Sequence, residues 1–238
     1  MDERASLWVD LESLIAFAAD RRRDDDEVLD RLSALVKADP AAALEAGEEL
    51  LKSDEPDRRE IGALIIGAAA EIDYGLRDRA LPPLRRVLAE DSEPGPISAA
   101  IVKLGNKDDL ESHDQIVAFA RHPDALVRNA VAVSLPAVGL DEVALAALRE
   151  LSRDDDEDVR DWATFGLGKQ YEGDDPETRE ALLARVEDPH YDTRCEAIWG
   201  LAFRHDERVR PYLLRELENP DAGNLVHEAA GMIGIADA

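Results

Sequence analysis

The chain has 238 residues, with 54 acids against 28 bases, a formal net charge of −26 and a pI near 4.4. Its 45% hydrophobic content, rich in alanine and leucine, is enough to build a core and argues against disorder. So negative a surface repels phosphate backbones, which excludes a general nucleic-acid binder, and the single cysteine, Cys195, excludes a disulfide framework and a cysteine-based zinc cluster.

The first elements form a helical pair over Arg4–Ala19 and Asp26–Ala38, placed to cap the helices downstream. The N-terminus carries acids where a secretory signal would carry bases, and the longest apolar run, around Ile61 to Ala70, falls well short of the ~20 residues that span a bilayer. A cytoplasmic protein without a membrane segment is expected. Six amphipathic stretches then come in turn: AAALEAGEELL, LPPLRRVLA, DQIVAFA, VALAALREL, REALLARV and PYLLREL. Each is followed by a second helical segment. Acid-proline pairs mark helix starts at Asp39-Pro40, Glu93-Pro94 and Asp175-Pro176, where a proline in the first turn removes an N–H that has no partner anyway. Sustained period-2 alternation is absent, so no strand is expected.

The second segments are copies of one another. ALVRNAVAVSL, EDVRDWATFGL, YDTRCEAIWGL and GNLVHEAAGMI align without gaps, with one slot at Arg128, Arg160, Arg194 and Val226, spaced by 32, 34 and 32 residues. Two weaker copies put the slot at Arg59 and Ile97. Apolar or small residues stand one before the slot, three after and seven after, as Val159, Ala163 and Leu167 do, which makes one buried helix face. The D-x-x-V-R-x-x-A-x-x-x-L pattern of Asp124, Val127, Arg128, Val131 and Leu135, and again of Glu157, Val159, Arg160, Ala163 and Leu167, resembles HEAT repeats. The likeness is to the short bacterial and archaeal type related to phycobilin-lyase HEAT-like repeats. It implies an all-α, right-handed α-α superhelix of about six hairpins, with residues 1–238 as one solenoid domain: caps over 1–39, degenerate repeats over 40–108 and clear repeats over 109–238. It also implies that the slot arginines pair with acids of the neighbouring unit in an internal ladder.

Stacked hairpins expose a long surface lined by second helices, suited to another protein and lacking the closed, dry pocket that most chemistry needs. Two residues after the slot stand Ala130, Trp162, Glu196 and Glu228, and the glutamates suggest an exposed column. Five after it stand Val133, Phe165, Trp199 and Gly231. Trp162, Phe165 and Trp199, with Asp161, Glu196 and Glu228, therefore outline an aromatic patch flanked by acid, the composition of an interface hot spot. The expected function is a non-catalytic protein-binding adaptor with no cofactor and no metal. One alternative is an acidic inhibitor or immunity protein that neutralises a basic partner. Another is a DNA glycosylase or bilin lyase of HEAT-like architecture, with Trp162, Trp199 and Asp161 as the glycosylase candidates. The charge opposes the glycosylase.

Other chemistry is weaker still. Asp154, Asp156 and Asp158 open like a calcium loop, but Val159 and Phe165 stand where glycine and glutamate are required, so the run reads as a helix start. The run Asp24-Asp25-Asp26-Glu27, after Arg21-Arg22-Arg23, reads the same way. The histidines lack metal-site spacing, although His190 and His205 could face one another across a helix pair. Cys195 could be exposed but has no partner base. Only five of the 28 bases are lysine and thirty of the 54 acids are aspartate, a bias that fits a high-GC genome or salt adaptation.

Overall fold

The computed structural model describes residues 3–18, 26–107, 109–220 and 222–235. Arg21, Arg22, Arg23, Asp24 and Asp25 lie outside them, as do Ala19 and Asp221. Among the described residues there are fourteen α-helices and no strand, and their order is that of an all-α solenoid of helical hairpins. The chain divides into two compact units, residues 1–116 and 117–238.

The first unit opens with the expected pair, α1 (Glu3–Ala18) and α2 (Asp26–Ala38). Two hairpins come next: α3 (Pro40–Leu50) with α4 (Pro56–Ile72), and α5 (Arg77–Glu90) with α6 (Pro94–Gly105). Asp39 caps α3 by accepting a hydrogen bond from the Ala42 N–H, with Pro40 in the first turn. Second helix packs on second helix, α4 against α6, which buries Ile61, Ile65, Ile66, Ile97, Ile101 and Leu104. The stretch DQIVAFA yields only a short helix, α7 (His113–Val117), led in by a single 3-10 turn over Leu110–Ser112. It is the least regular of the six first helices.

The second unit continues with α8 (Ala125–Val138), α9 (Glu142–Leu151), α10 (Glu157–Phe165), α11 (Pro176–Leu183), α12 (Tyr191–Phe203), α13 (Arg210–Leu217) and α14 (Asn224–Met232). Helices α8, α10, α12 and α14 pack in succession. The stripe read from the repeats is the buried face: Val127, Val131, Leu135, Val159, Ala163, Leu167 and Val226 are all fully enclosed. The acids of 154–158 work as helix-start groups. Asp156 caps α10 by accepting from the Asp158 and Val159 N–H groups, and Asp154 accepts from the Asp156 N–H.

A ladder of ion pairs ties hairpin to hairpin inside each unit. Arg128 grips Asp154 through two bonds, 2.7 and 2.8 Å, and its third nitrogen donates to the carbonyls of His122 and Pro123. Arg160 repeats this on Asp188 and on the carbonyls of Asp154 and Asp155. Arg194 donates to the carbonyls of Asp188 and Pro189. The first unit has its own copy in Arg59 on Asp91. In the rungs of Arg59, Arg128 and Arg160 the accepting aspartate lies six residues before the next slot. Arg194 departs because position 220 is proline, and it pairs instead with Glu216 at 3.2 Å.

Candidate functional site

In the second unit the helix α10 does not end where its α-helical hydrogen bonds end. It runs into a π-helical turn over Gly166–Gln170, closed by the Tyr171 N–H donating to the Gly166 carbonyl at 3.0 Å. Such turns are rare and leave carbonyls in need of donors. Arg204, buried at the end of α12, supplies them. Its Nε donates to Gly173, one terminal nitrogen to Gly168 and Gly200, and the other to Leu167 and Tyr171. The guanidinium thus spends all five N–H groups on backbone carbonyls. Close approach of the turn to α12 needs two glycines in register. A Cβ on Gly200 would sit 2.7 Å from the Gly168 Cα, and one on Gly168 would sit 2.9 Å from the Glu196 carbonyl oxygen.

This anchored turn delivers Lys169 to the aromatic layer. Its ammonium lies 4.9 Å from the centre of the Trp199 ring, within cation–π range. Trp199 stacks on Phe203 with centroids 5.4 Å apart, and its indole N–H donates to Glu228 at 2.9 Å. One repeat earlier, Trp162 meets Phe165 edge-on at 5.7 Å and leaves 42% of its surface exposed. Asp161 accepts a hydrogen bond from the Thr193 hydroxyl at 3.0 Å and lies 3.6 Å from His190 Nδ1. His190 is also the cap of α12, so it turns toward Asp161 and Thr193. His205 comes after α12 in the left-handed region, with φ of 51°. No group of three or more metal-ligating side chains occurs among the described residues.

All six residues expected at the site lie in this unit on α10, α12 and α14, but the column reasoning fails for one. Glu196 is not exposed: it keeps 9% of its surface, and its Oε2 has no hydrogen-bond partner. Ala130, in the same column, is also buried. Each helix of the layer is set at its own depth, so equivalent repeat positions differ in exposure. Burial pushes the Glu196 carboxyl up to about 7, relieved in part by Lys169 and reinforced by Asp161, Asp192 and Glu228. Asp161 is raised too, again by burial. Cys195 is likewise buried rather than exposed, and burial holds its thiol up at about 11. Column reasoning missed Lys169, Phe203 and Arg204. Lys169 and Phe203 share a column nine residues after the slot, a regularity visible once the helices are extended that far. Nothing in the repeat pattern points to Arg204.

Elsewhere, a cavity of about 930 Å³ in the first unit opens beside α3 and α5. Of its three arginines, two are already committed, Arg59 to Asp91 and Arg79 to Glu48. No helix among the described residues is long and apolar enough to cross a membrane.

Hairpins in series, a slot-arginine ladder and an aromatic layer on the second helices define a class of repeat protein. A family model described as HEAT repeats matches residues 81–168 and 151–234, and the chain belongs to that family. Among curated proteins it is similar to Protein YibA of Escherichia coli K12, 28% identical over 186 residues, and to the same protein of Escherichia coli O157:H7 at the same identity. The match covers 74% of this chain and 64% of YibA, so the chain spans less than two thirds of the length of these relatives. An X-ray structure of Escherichia coli YibA superimposes with a TM-score of 0.74, covering 98% of this chain and 86% of that one, at 22% identity. At that identity the likeness speaks for the fold alone.

Proposed function

We propose that the protein is a non-catalytic binding module that docks another protein on the second-helix layer of residues 117–238. Trp162, Phe165 and Trp199 serve as anchors, with Asp161, Glu196 and Glu228 around them. The observation that carries this reading is Trp162. A tryptophan left 42% exposed and braced edge-on by Phe165 offers a large rigid apolar face whose position is already fixed, so little entropy is lost on docking. HEAT repeats commonly mediate protein interaction. The chemistry of the layer argues the same way. The Cys195 thiol is enclosed and kept neutral at pH 7.

The test is affinity for the partner captured by the wild-type chain from extracts of its source cells. Trp162→Ala with Phe165→Ala is expected to weaken binding at least 30-fold, about 2 kcal/mol, with the melting temperature little changed. Unchanged affinity would remove the layer as the docking site.

A further inference from the structure

We propose that Glu196 and the Trp199 face form a subsite for a basic side chain, a guanidinium by preference, presented by the protein partner. The inference rests on the docking reading and names the chemistry of what docks. Three observations on separate elements lead to it. Glu196 on α12 is more than nine-tenths buried, and its Oε2 accepts no hydrogen bond, which is costly for a carboxylate unless a donor arrives. Asp161 on α10, Asp192 on α12 and Glu228 on α14 give three carboxylates acting on Glu196, against Lys169 as the base acting on it. Finally, the chain's own Lys169 already lies over the Trp199 ring, so the ring accepts a cation in this geometry.

Lys169 satisfies only part of the site. It holds the Trp199 face, while the Glu196 oxygen remains without a donor. A guanidinium suits both demands. Its planar fork can donate to Glu196 while its face lies on the indole, and it sheds water more readily than an ammonium. In the column five after the slot, Gly231 comes after Phe165 and Trp199, and a Cβ there would meet nothing within 4 Å. Among the described residues, the layer is therefore open beside Gly231, one repeat on from Trp199. The Glu196 oxygen is closed off in the free chain, so the partner's basic residue would have to displace Lys169 from the ring to reach it, and would then take the surplus negative charge.

The experiment tracks the Trp199 indole N–H resonance of the full chain, assigned with Trp199→Phe, at pH 8, where Glu196 is ionised. The probe is Nα-acetyl-arginine N-methylamide, with the lysine and leucine analogues as comparisons. A saturable shift is expected with the arginine compound, a weaker one with lysine and none with leucine. Glu196→Gln should weaken arginine binding at least five-fold, and Lys169→Met should strengthen it two-fold or more by vacating the ring. Because these variants are expected to move affinity in opposite directions, general loss of structure cannot imitate the result. A leucine response equal to that of arginine, or an arginine shift unaltered by Glu196→Gln, overturns the subsite. That failure is separable from failure of the docking reading. Partner affinity that depends on Trp162 while the arginine shift ignores Glu196 leaves docking standing and removes the subsite. Partner affinity that ignores Trp162 while the arginine shift obeys Glu196 does the reverse.

Discussion

Two buried ionisable groups, Glu196 on α12 and Arg204 at its end, meet the same electrostatic demand in opposite ways. Arg204 has a backbone carbonyl for every N–H it owns, and the five bonds close the π-helical turn on α12. Arg204→Ala strips five carbonyls of their donor at once. We expect a loss of about 3 kcal/mol or more, read from the urea midpoint, and Arg204→Lys should recover little because an ammonium cannot make the fork. Glu196 is the contrary case, with a carboxyl raised from 4.5 to about 7. A group raised in the folded state contributes its full share below the unfolded value, near pH 4.5, and that share is lost as pH rises through 7. Glu196→Gln should therefore leave stability unchanged near pH 4 and add about 2–3 kcal/mol at pH 8, measured by urea unfolding at both pH values. Equal effects at the two pH values would mean that the side chain is not held protonated by burial. That the candidate residues share one layer of helices was legible from the repeat columns, whereas their depth was not. Exposure depends on how far each helix sits from its neighbour, and here a pair of facing glycines, Gly168 and Gly200, sets that distance.

At the scale of elements the ladder decides which helices are held together. Asp188 is its most enclosed acid, with a side chain only 1% exposed. It accepts from Arg160 and Arg185 and from the His190 N–H, and Arg160 with these bonds holds its carboxyl below the usual carboxylate range. Asp188→Ala leaves two arginines facing a cavity and frees the start of α12. A loss of about 2–3 kcal/mol in urea unfolding is expected, against no measurable change for Arg121→Ala, whose bond to Glu150 is fully at the surface. Most of this was readable from the chain alone. The slot and the apolar stripe are periodic, and a periodic contact repeats its residue type. The accepting acid, Asp154 or Asp188 and not the neighbouring Asp156, Asp158 or Asp192, stands among so many acids that the pattern alone does not single it out. What escaped were the departures from the period. The short α7 arises where HDQIV lacks the long apolar face of the other first helices, and the π-helical turn arises at GLGKQ, where small residues permit an extra residue in the coil. Neither obeys the repeat, so neither could be inferred from it.

For the molecule as a whole, the question is what −26 does when so many of the arginines are engaged. The slot arginines are largely buried in their rungs and so are weakly screened by salt. The rungs divide between the units, one in residues 1–116 and three in 117–238, and the ladder's chemical rule skips the step between them, where the slot is Ile97 and the residue six before the next slot is His122. Much of the surplus acid stands at helix starts and between hairpins, as Asp54, Glu55, Asp155 and Glu218 do, exposed and repelling like charge. Such repulsion acts over a Debye length, ~10 Å at 0.1 M salt and ~3 Å at 1 M. Salt therefore relieves the exposed acids while leaving the rungs nearly intact. Raising NaCl from low concentration to about 0.5 M should stabilise the chain by about 2 kcal/mol, or roughly 4–8 °C in melting temperature for a chain of this size, and the curve should then flatten. A fall in melting temperature would mean that the ladder, and not the surface acids, dominates the electrostatics. A climb that continues steeply to molar salt would assign the surplus to salt adaptation, leaving only Glu196 and the three carboxylates that act on it to be explained by a ligand.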